Sequence, residues 1–258
     1  MKRDDLVKWL DEYLKINEVE DGSWNGLQAE GSIEVKKIAL GVDAGLDLFK
    51  KAAEDKTDLI IVHHGMFWKN WNPSIVSANK QSFSPNKDRV EFLLKSGLSL
   101  YAAHLPLDRH KEVGNNAMLL KIIGARITDE FDIAEGKNTS WLGEFKKEKS
   151  LKEIVENLKK SLQTECKIIP FGKKEIKKVA VCTGGGGYST HQLAFESGVD
   201  LYITGDPIEV YQWDKDAKFN VIFAGHYATE TLGVKALGEV IKNKFDVNIE
   251  FIDIPTGF

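Results

Sequence analysis

Apolar side chains recur at helical spacing along residues 4–16, at Leu6, Val7, Leu10, Leu14 and Ile16. The spacing predicts an amphipathic helix with Asp4 or Asp5 as its cap. A polar, glycine-containing stretch follows and ends in Trp24-Asn25-Gly26-Leu27-Gln28. Residues 35–42 then read as a strand and 45–54 as a helix, and Asp58-Leu59-Ile60-Ile61-Val62 reads as a buried strand that stops at His63-His64-Gly65. A loop containing Trp, Asn and Pro covers 66–86, residues 87–96 read as a helix, and 98–103 form another strand ending at His104. The order β-α-β-α-β predicts an α/β fold with a largely parallel sheet.

The second half runs in the same order. Residues 151–162 read as a helix and 176–183 as a strand; the turn Gly184–Gly187 leads into a helix through roughly 197. Strands at 199–204 and 219–224 end at Gly205-Asp206 and Gly225-His226, a helix carries Leu232, Leu237, Val240 and Ile241 on one face, and 247–254 closes the chain as a strand. The halves align. With a one-residue gap, Ile38 to His64 lies on Val179 to Asp206, Leu100-Tyr101-Ala102-Ala103-His104 lies on Ile222-Phe223-Ala224-Gly225-His226, and Asp108 lies on Glu230. This divides the chain into repeats at 1–124 and 125–258, the C-terminal helix and strand being able to pack on the first.

Composition narrows the function classes. With 42% hydrophobic and 29% charged residues the chain has an ordinary globular make-up, and it is long enough to bury a core without staples. A net charge near −4 and the absence of a basic block weigh against a nucleic-acid arm; Lys173, Lys174, Lys177 and Lys178, interrupted by Glu175, read as a solvated strand flank. Cys166 and Cys182 form no CxxC pair or zinc-finger spacing. The N-terminus enters its helix without a signal-type apolar core, and no run is long and apolar enough to span a bilayer. The expected location is the cytoplasm.

The chemistry collects at strand ends, where open α/β sheets place their ligands: His63, His64, His104 and Asp108 in the first half, and Asp206, His226 and Glu230 in the second. A pseudo-twofold relation between the halves would bring the two sets toward one crevice. Imidazole with carboxylate suits zinc, manganese, iron, cobalt or nickel. Adjacent residues on a strand point to opposite faces, so His63 and His64 would face different ions once the chain turns at Gly65. Carboxylates can bridge two ions, which makes Asp108 and Glu230 the bridging candidates. His226 and Glu230 can share a helix face, whereas Pro106 disfavours helix at Leu105, so the His104–Asp108 copy reads as a loop. His110 and His191, in polar surroundings, read as surface or supporting residues. The glycine run reads first as a tight turn and second as an anion cradle. Trp68, Trp71 and Tyr188 could stack a base but more often serve core or interface.

Several motifs together carry a resemblance over almost the whole chain: Asn25-Gly26-Leu27-Gln28, Val62-His63-His64-Gly65, His104-Leu105-Pro106-Leu107-Asp108, Gly114-Asn115-Asn116-Ala117, Thr183-Gly184-Gly185-Gly186, Tyr202-Ile203-Thr204-Gly205-Asp206 and Gly225-His226-Tyr227-Ala228-Thr229-Glu230. The sequence resembles the ring-forming, dinuclear-metal proteins known as GTP cyclohydrolase I type 2 homologues, the Nif-three-like family. The resemblance implies two intertwined α/β repeats and two divalent metal ions per chain. It implies His63, His64, Asp108, His226 and Glu230 as ligands, with His104 a neighbour, and a homohexameric ring with the ions facing inside. Similar proteins often carry an acid followed by a histidine after the second strand end, where this chain has Asp206-Pro207-Ile208-Glu209.

Three function classes follow. A metal-dependent hydrolase would use a metal-activated water on a nucleotide-like or phosphorylated substrate, with Asp206 a candidate general base. A non-enzymatic metal chaperone or ring-shaped regulator would show closed coordination shells. A nucleic-acid-threading ring would need a positive stripe that the acidic net charge does not favour.

Overall fold

The computed structural model describes residues 1–69, 85–134 and 137–258. The chain order is α1 (Arg3–Leu14), a 3-10 turn (Ile16–Glu18), β1 (Gly26–Ala29), β2 (Lys37–Asp43), α2 (Leu46–Glu54), β3 (Leu59–His64), α3 (Pro85–Ser96), β4 (Ser99–Ala102), α4 (Leu105–Asp108), α5 (Asn115–Ile123), β5 (Ala125–Ala134) and β6 (Lys137–Ser150). It continues with α6 (Leu151–Leu162), β7 (Lys167–Pro170), β8 (Glu175–Cys182), α7 (Tyr188–Glu196), β9 (Leu201–Thr204), α8 (Tyr211–Ala217), β10 (Asn220–Phe223), α9 (His226–Lys244) and β11 (Asn248–Phe251). The elements form two compact units, Met1–Leu107 with Val234–Ile254, and Asp108–Gly233 with Pro255–Phe258. Among the described residues no helix is long and apolar enough to cross a membrane.

The first unit holds a five-stranded sheet in the order β1-β4-β3-β2-β11, in which only β1 runs antiparallel to its neighbour. Its central strands are buried on both faces, which is why β3 reads as an unbroken apolar run. Ala39, Ile60, Val62, Leu100 and Ala102 share one face with Leu48, Phe49 and Ala52 of α2 and Leu93 of α3. A Cβ on Gly41 would lie 2.6 Å from Leu48, so glycine sets how closely α2 approaches. On the other face Tyr101 donates to Asp11 of α1 at 2.8 Å, and Gly238 of α9 lies against Leu40. Asp4 and Asp5 are not caps: Lys2 holds the cap position, and the two acids lie in the first turn, where they favour the helix dipole.

The second unit holds a six-stranded sheet, β5-β6-β8-β9-β10-β7. Here the expectation of a largely parallel sheet needs correction, because only β8, β9 and β10 are mutually parallel; β5, β6 and β7 are antiparallel members. Trp141, Phe145, Val179, Val181, Leu201, Ile203 and Ile222 pack with α5 and α6 on one face. Ala180, Tyr202, Val221 and Phe223 pack with Ala194 of α7 and Phe219 on the other.

The internal repeat extends beyond the strands that reveal it in sequence. The series α1-β1-β2-α2-β3-α3-β4 is matched by α6-β7-β8-α7-β9-α8-β10, including the antiparallel strand beside the third parallel one. Each helix of the three pairs is followed by a left-handed residue at or just after its end: Lys15 and Gln163, Lys56 and Gly198, Gly97 and Lys218. Asp58 accepts from the amides of Lys36 and Lys37 at 2.8 and 3.0 Å, as Asp200 accepts from those of Lys177 and Lys178 at 2.9 Å each. After the third strand the chain crosses over: α5 belongs to the second unit, while the end of α9 and β11 belong to the first. The sequence division at 124/125 falls after α5, whereas the compact units divide at Leu107/Asp108.

One register needs correcting. Val62 pairs with Ala102, and Thr204 pairs with Phe223. The ladders therefore equate His104 with Gly225, one residue from the alignment of His104 on His226. The alignment followed like side chains, but a ladder fixes register through backbone hydrogen bonds.

Burial would raise the Asp200 carboxyl, but Lys173 and the amides of Lys178 and Lys177 outweigh it and hold it below its ordinary value of 3.8. Its contribution is therefore complete above that value and lost as pH falls below it. Asp200→Ala is expected to cost about 1–3 kcal/mol at neutral pH by urea unfolding, with the difference shrinking in acid; equal unfolding midpoints at neutral pH would contradict the clamp.

Candidate metal centre

In the first unit, His63 and His64 end β3 and His104 follows β4. Their ring centroids lie 4.7 to 5.5 Å apart, and one ring nitrogen of each lies within 4.8 Å of those of the others. Each Nδ1 is tied to an oxygen: His63 to the Ala103 carbonyl at 2.9 Å, His64 to Asp43 at 2.8 Å, His104 to Asp21 at 2.9 Å. A carbonyl or carboxylate oxygen can only accept, so Nδ1 donates in each case and coordination of a metal would fall to Nε2.

Asp21 is itself closely held. It accepts from the amides of Ser23 and Leu105 and from the Asn25 side chain, and Asn25 in turn accepts from the His104 amide. Burial would raise its carboxyl, but the hydrogen bond and charge of His104, with Asn25 and Ser23, hold it down at about 2. Trp68 meets His104 edge-on at 5.0 Å, with its indole N–H on the Gly65 carbonyl. Trp71 lies outside the described residues.

In the second unit His226 opens α9 and Glu230 sits one turn later, with Nε2 and Oε2 3.2 Å apart. The shared helix face expected from the spacing is present. On the other side of the ring, Nδ1 meets Asp206 at 2.9 Å. Glu230 is 3% exposed and Asp108 7%. Asn115 donates to Asp108 at 2.8 Å, and Thr183 does so at 3.4 Å. The next residue, Gly184, has φ +65°, and a Cβ there would lie 2.1 Å from Glu230, so the glycine run is the tight turn that lets the backbone lie against the carboxylate. Two of its amides are engaged, Gly184 by Thr229 and Gly186 by Thr204, and the Asp206 carboxylate lies beside Gly185, which weighs against an anion cradle.

Two sequence expectations fail. Residues Leu105–Asp108 form a helical turn rather than a loop, because Pro106 stands in the first turn, where its missing N–H and fixed φ are tolerated. Of the two readings of His191, surface or supporting, the surface one fails: it is buried against Asp214 at 2.8 Å and ringed by Trp213, Phe219 and Tyr202. The anchors Asp21 and Asp43 were missed; only the place of Asp43 at a strand end could have signalled it. Asn25, Asn115 and Thr183 stood in the quoted motifs without a role.

Charge decides what these groups can hold. The hydrogen bond to Glu230 pushes His226 up to about 9; burial opposes the rise, and the charge of Glu230 with Asp206 reinforces it. The pair of carboxylates demands a positive charge between them, as a proton or as a metal ion. Imidazole and carboxylate are donors that divalent transition metals accept, so the residues fit such an ion.

The sequence pattern of the Duf34/NIF3 family (NGG1p interacting factor 3) matches residues 1–257. The chain belongs to the DUF34/NIF3 family. Its relatives include the "GTP cyclohydrolase 1 type 2 homolog" of Pyrococcus horikoshii, 44% identical over the whole of both chains, and that of Archaeoglobus fulgidus, 42% identical over 98% of each. The solved structure of protein ybgI, described as of unknown function, superposes with a TM-score of 0.90 at 33% identity over the whole of both chains. The crystal structure of a protein from Thermus thermophilus superposes at 0.85 with 36% identity, again over both whole chains.

In the metal-free protein the raised His226 contributes stability that is complete below its ordinary value of 6.5 and is lost as pH rises through about 9. Urea midpoints of the chelated protein should fall across that window in wild type and stay flatter in His226→Gln; parallel pH profiles would contradict the assignment.

Proposed function

We propose that this member of the DUF34/NIF3 family is a dinuclear metal protein of hydrolase type. In this reading His63, His64, Asp108, His226 and Glu230 hold two divalent ions, and the substrate is nucleotide-like or phosphorylated. The observation that carries the reading is the common anchoring of the imidazoles: each is tied through Nδ1, so that coordination would fall to Nε2, which in His226 already faces Glu230. This is how proteins fix metal-binding histidines. The cyclohydrolase-type names of the relatives support a nucleotide-like substrate.

When bound, such a pair of ions supplies Lewis acidity that lowers the pKa of water and clamps a polar substrate. The chain's own residues do the rest. Asp108 and Glu230 each offer two oxygens and would be the carboxylates that hold the ions, kept in place by burial and, for Asp108, by Asn115 and Thr183. His104 stands outside the ligand set, held by Asp21. The donors suit zinc, iron, manganese, cobalt or nickel. The proposal extends to a homohexameric ring in the cytoplasm, on the resemblance to ring-forming relatives.

Metal-loaded and chelated protein, screened against GTP, other nucleotides and phosphoesters, tests the hydrolase. Turnover should disappear on chelation, and Asp108→Ala and Glu230→Ala should each lose more than the roughly 100-fold that outer-shell changes cost. Loaded protein that turns over none of these substrates and shows no exchangeable coordination position would instead be a metal-binding scaffold, chaperone or regulator.

A further inference from the structure

The repeat raises a question: why do the two copies, so alike in backbone, carry different side chains at their strand ends? The ladders answer it position by position. Gly41 pairs with Val62 and Cys182 pairs with Thr204. Two residues on from Gly41 and Cys182 come Asp43 and Gly184. After Val62 and Thr204 come His63-His64 and Gly205-Asp206.

In the first copy, Asp43 stands opposite His64 in the parallel ladder and holds its Nδ1 at 2.8 Å. The second copy cannot repeat this. At Gly184 φ is +65° and a Cβ would meet the end of the Glu230 side chain at 2.1 Å, so a carboxylate where Asp43 stands would strain the backbone and displace Glu230. At Gly205, the partner of His63, a Cβ would lie 2.6 Å from the Gly184 carbonyl and 2.8 Å from the His226 backbone, so no imidazole can stand there either. The remaining position, the partner of His64, carries Asp206, whose carboxylate holds Nδ1 of His226 at 2.9 Å.

We infer that Asp43 and Asp206 are a matched pair of positioning residues, one per repeat, which fix the tautomer and orientation of His64 and His226. The inference rests on the reading of those two histidines as ligands. In the second copy the strand-end position that supplies a ligand in the first has become the tether of a ligand supplied by the following helix. Asp206 thus acts on the imidazole rather than on substrate. Both carboxylates are well exposed, 45% and 39%, and exposed ion pairs contribute little to folding. Their removal should therefore leave the fold in place while changing what the imidazoles do. Asparagine is the sharpest replacement, because its amide can turn to donate and so permit the opposite tautomer.

The test compares wild type, Asp43→Asn, Asp206→Asn, His64→Ala and His226→Ala as full-length proteins. Zinc affinity is read by chelator competition, histidine tautomers in the zinc-loaded state by proton–nitrogen NMR, and fold stability by the melting point after chelation. Each asparagine variant should lose about 10–100-fold in zinc affinity, show a disturbed Nδ1–H signal for its own histidine, and melt close to wild type when metal-free. Unchanged affinity and tautomer in both asparagine variants, with wild type binding zinc and the alanine variants not, would overturn the inference and leave the ligand reading standing. Loss of zinc accompanied by an equal collapse of the metal-free fold would make the carboxylates structural and also overturn it. Alanine variants that bind zinc as wild type does would remove the ligand reading itself.

Discussion

A carboxylate as buried as that of Glu230 must be balanced by positive charge, because taking it out of water is costly unless it is paired. The second unit is arranged around that requirement. Glu230 lies one helical turn from His226, a positive-φ glycine brings the backbone against it, and Asp206 holds the far side of the ring. The imidazole answers by keeping a proton well above its ordinary range. A site that grips a proton this way gives it up to a cation of higher charge, which is how metal uptake and proton release become linked.

The fold supplies these groups through a simple device. In each sheet three parallel strands run side by side, so their C-terminal ends and the starts of the helices that follow lie along one edge. Repeating that device gives two sets of strand ends from one chain plan. Chemistry separates them: the first unit offers imidazoles anchored by Asp21, Asp43 and a carbonyl, and the second offers buried carboxylates with one imidazole. The glycines at 184 and 205 mark where the second copy gave up side chains for close backbone packing.

What was legible in sequence follows from how each element is buried. The parallel strands β2, β3, β4, β8, β9 and β10 are covered on both faces, so they stand out as apolar runs. The hairpin β5–β6 and the edge strands β1 and β7 mix polar and apolar residues, so no periodicity marks them as strands. α4 was hidden by Pro106, whose position in a first turn only the three-dimensional chain reveals. The strand-end histidines and acids were visible because ligand-type residues cluster at the strand ends of both halves. Their anchors were not. Asp21 is brought to His104 from 83 positions away by the fold, and no local pattern distinguishes it from a surface acid.

The most direct measurement is elemental analysis of the purified, untagged protein for transition metals per chain, before and after dialysis and after adding back zinc, iron, manganese, cobalt and nickel in turn. About two ions per chain, retained through dialysis, is the result expected of a dinuclear centre. A chain that stays metal-free with every one of these ions would contradict it, and would leave the buried Glu230 balanced by protons, that of His226 among them.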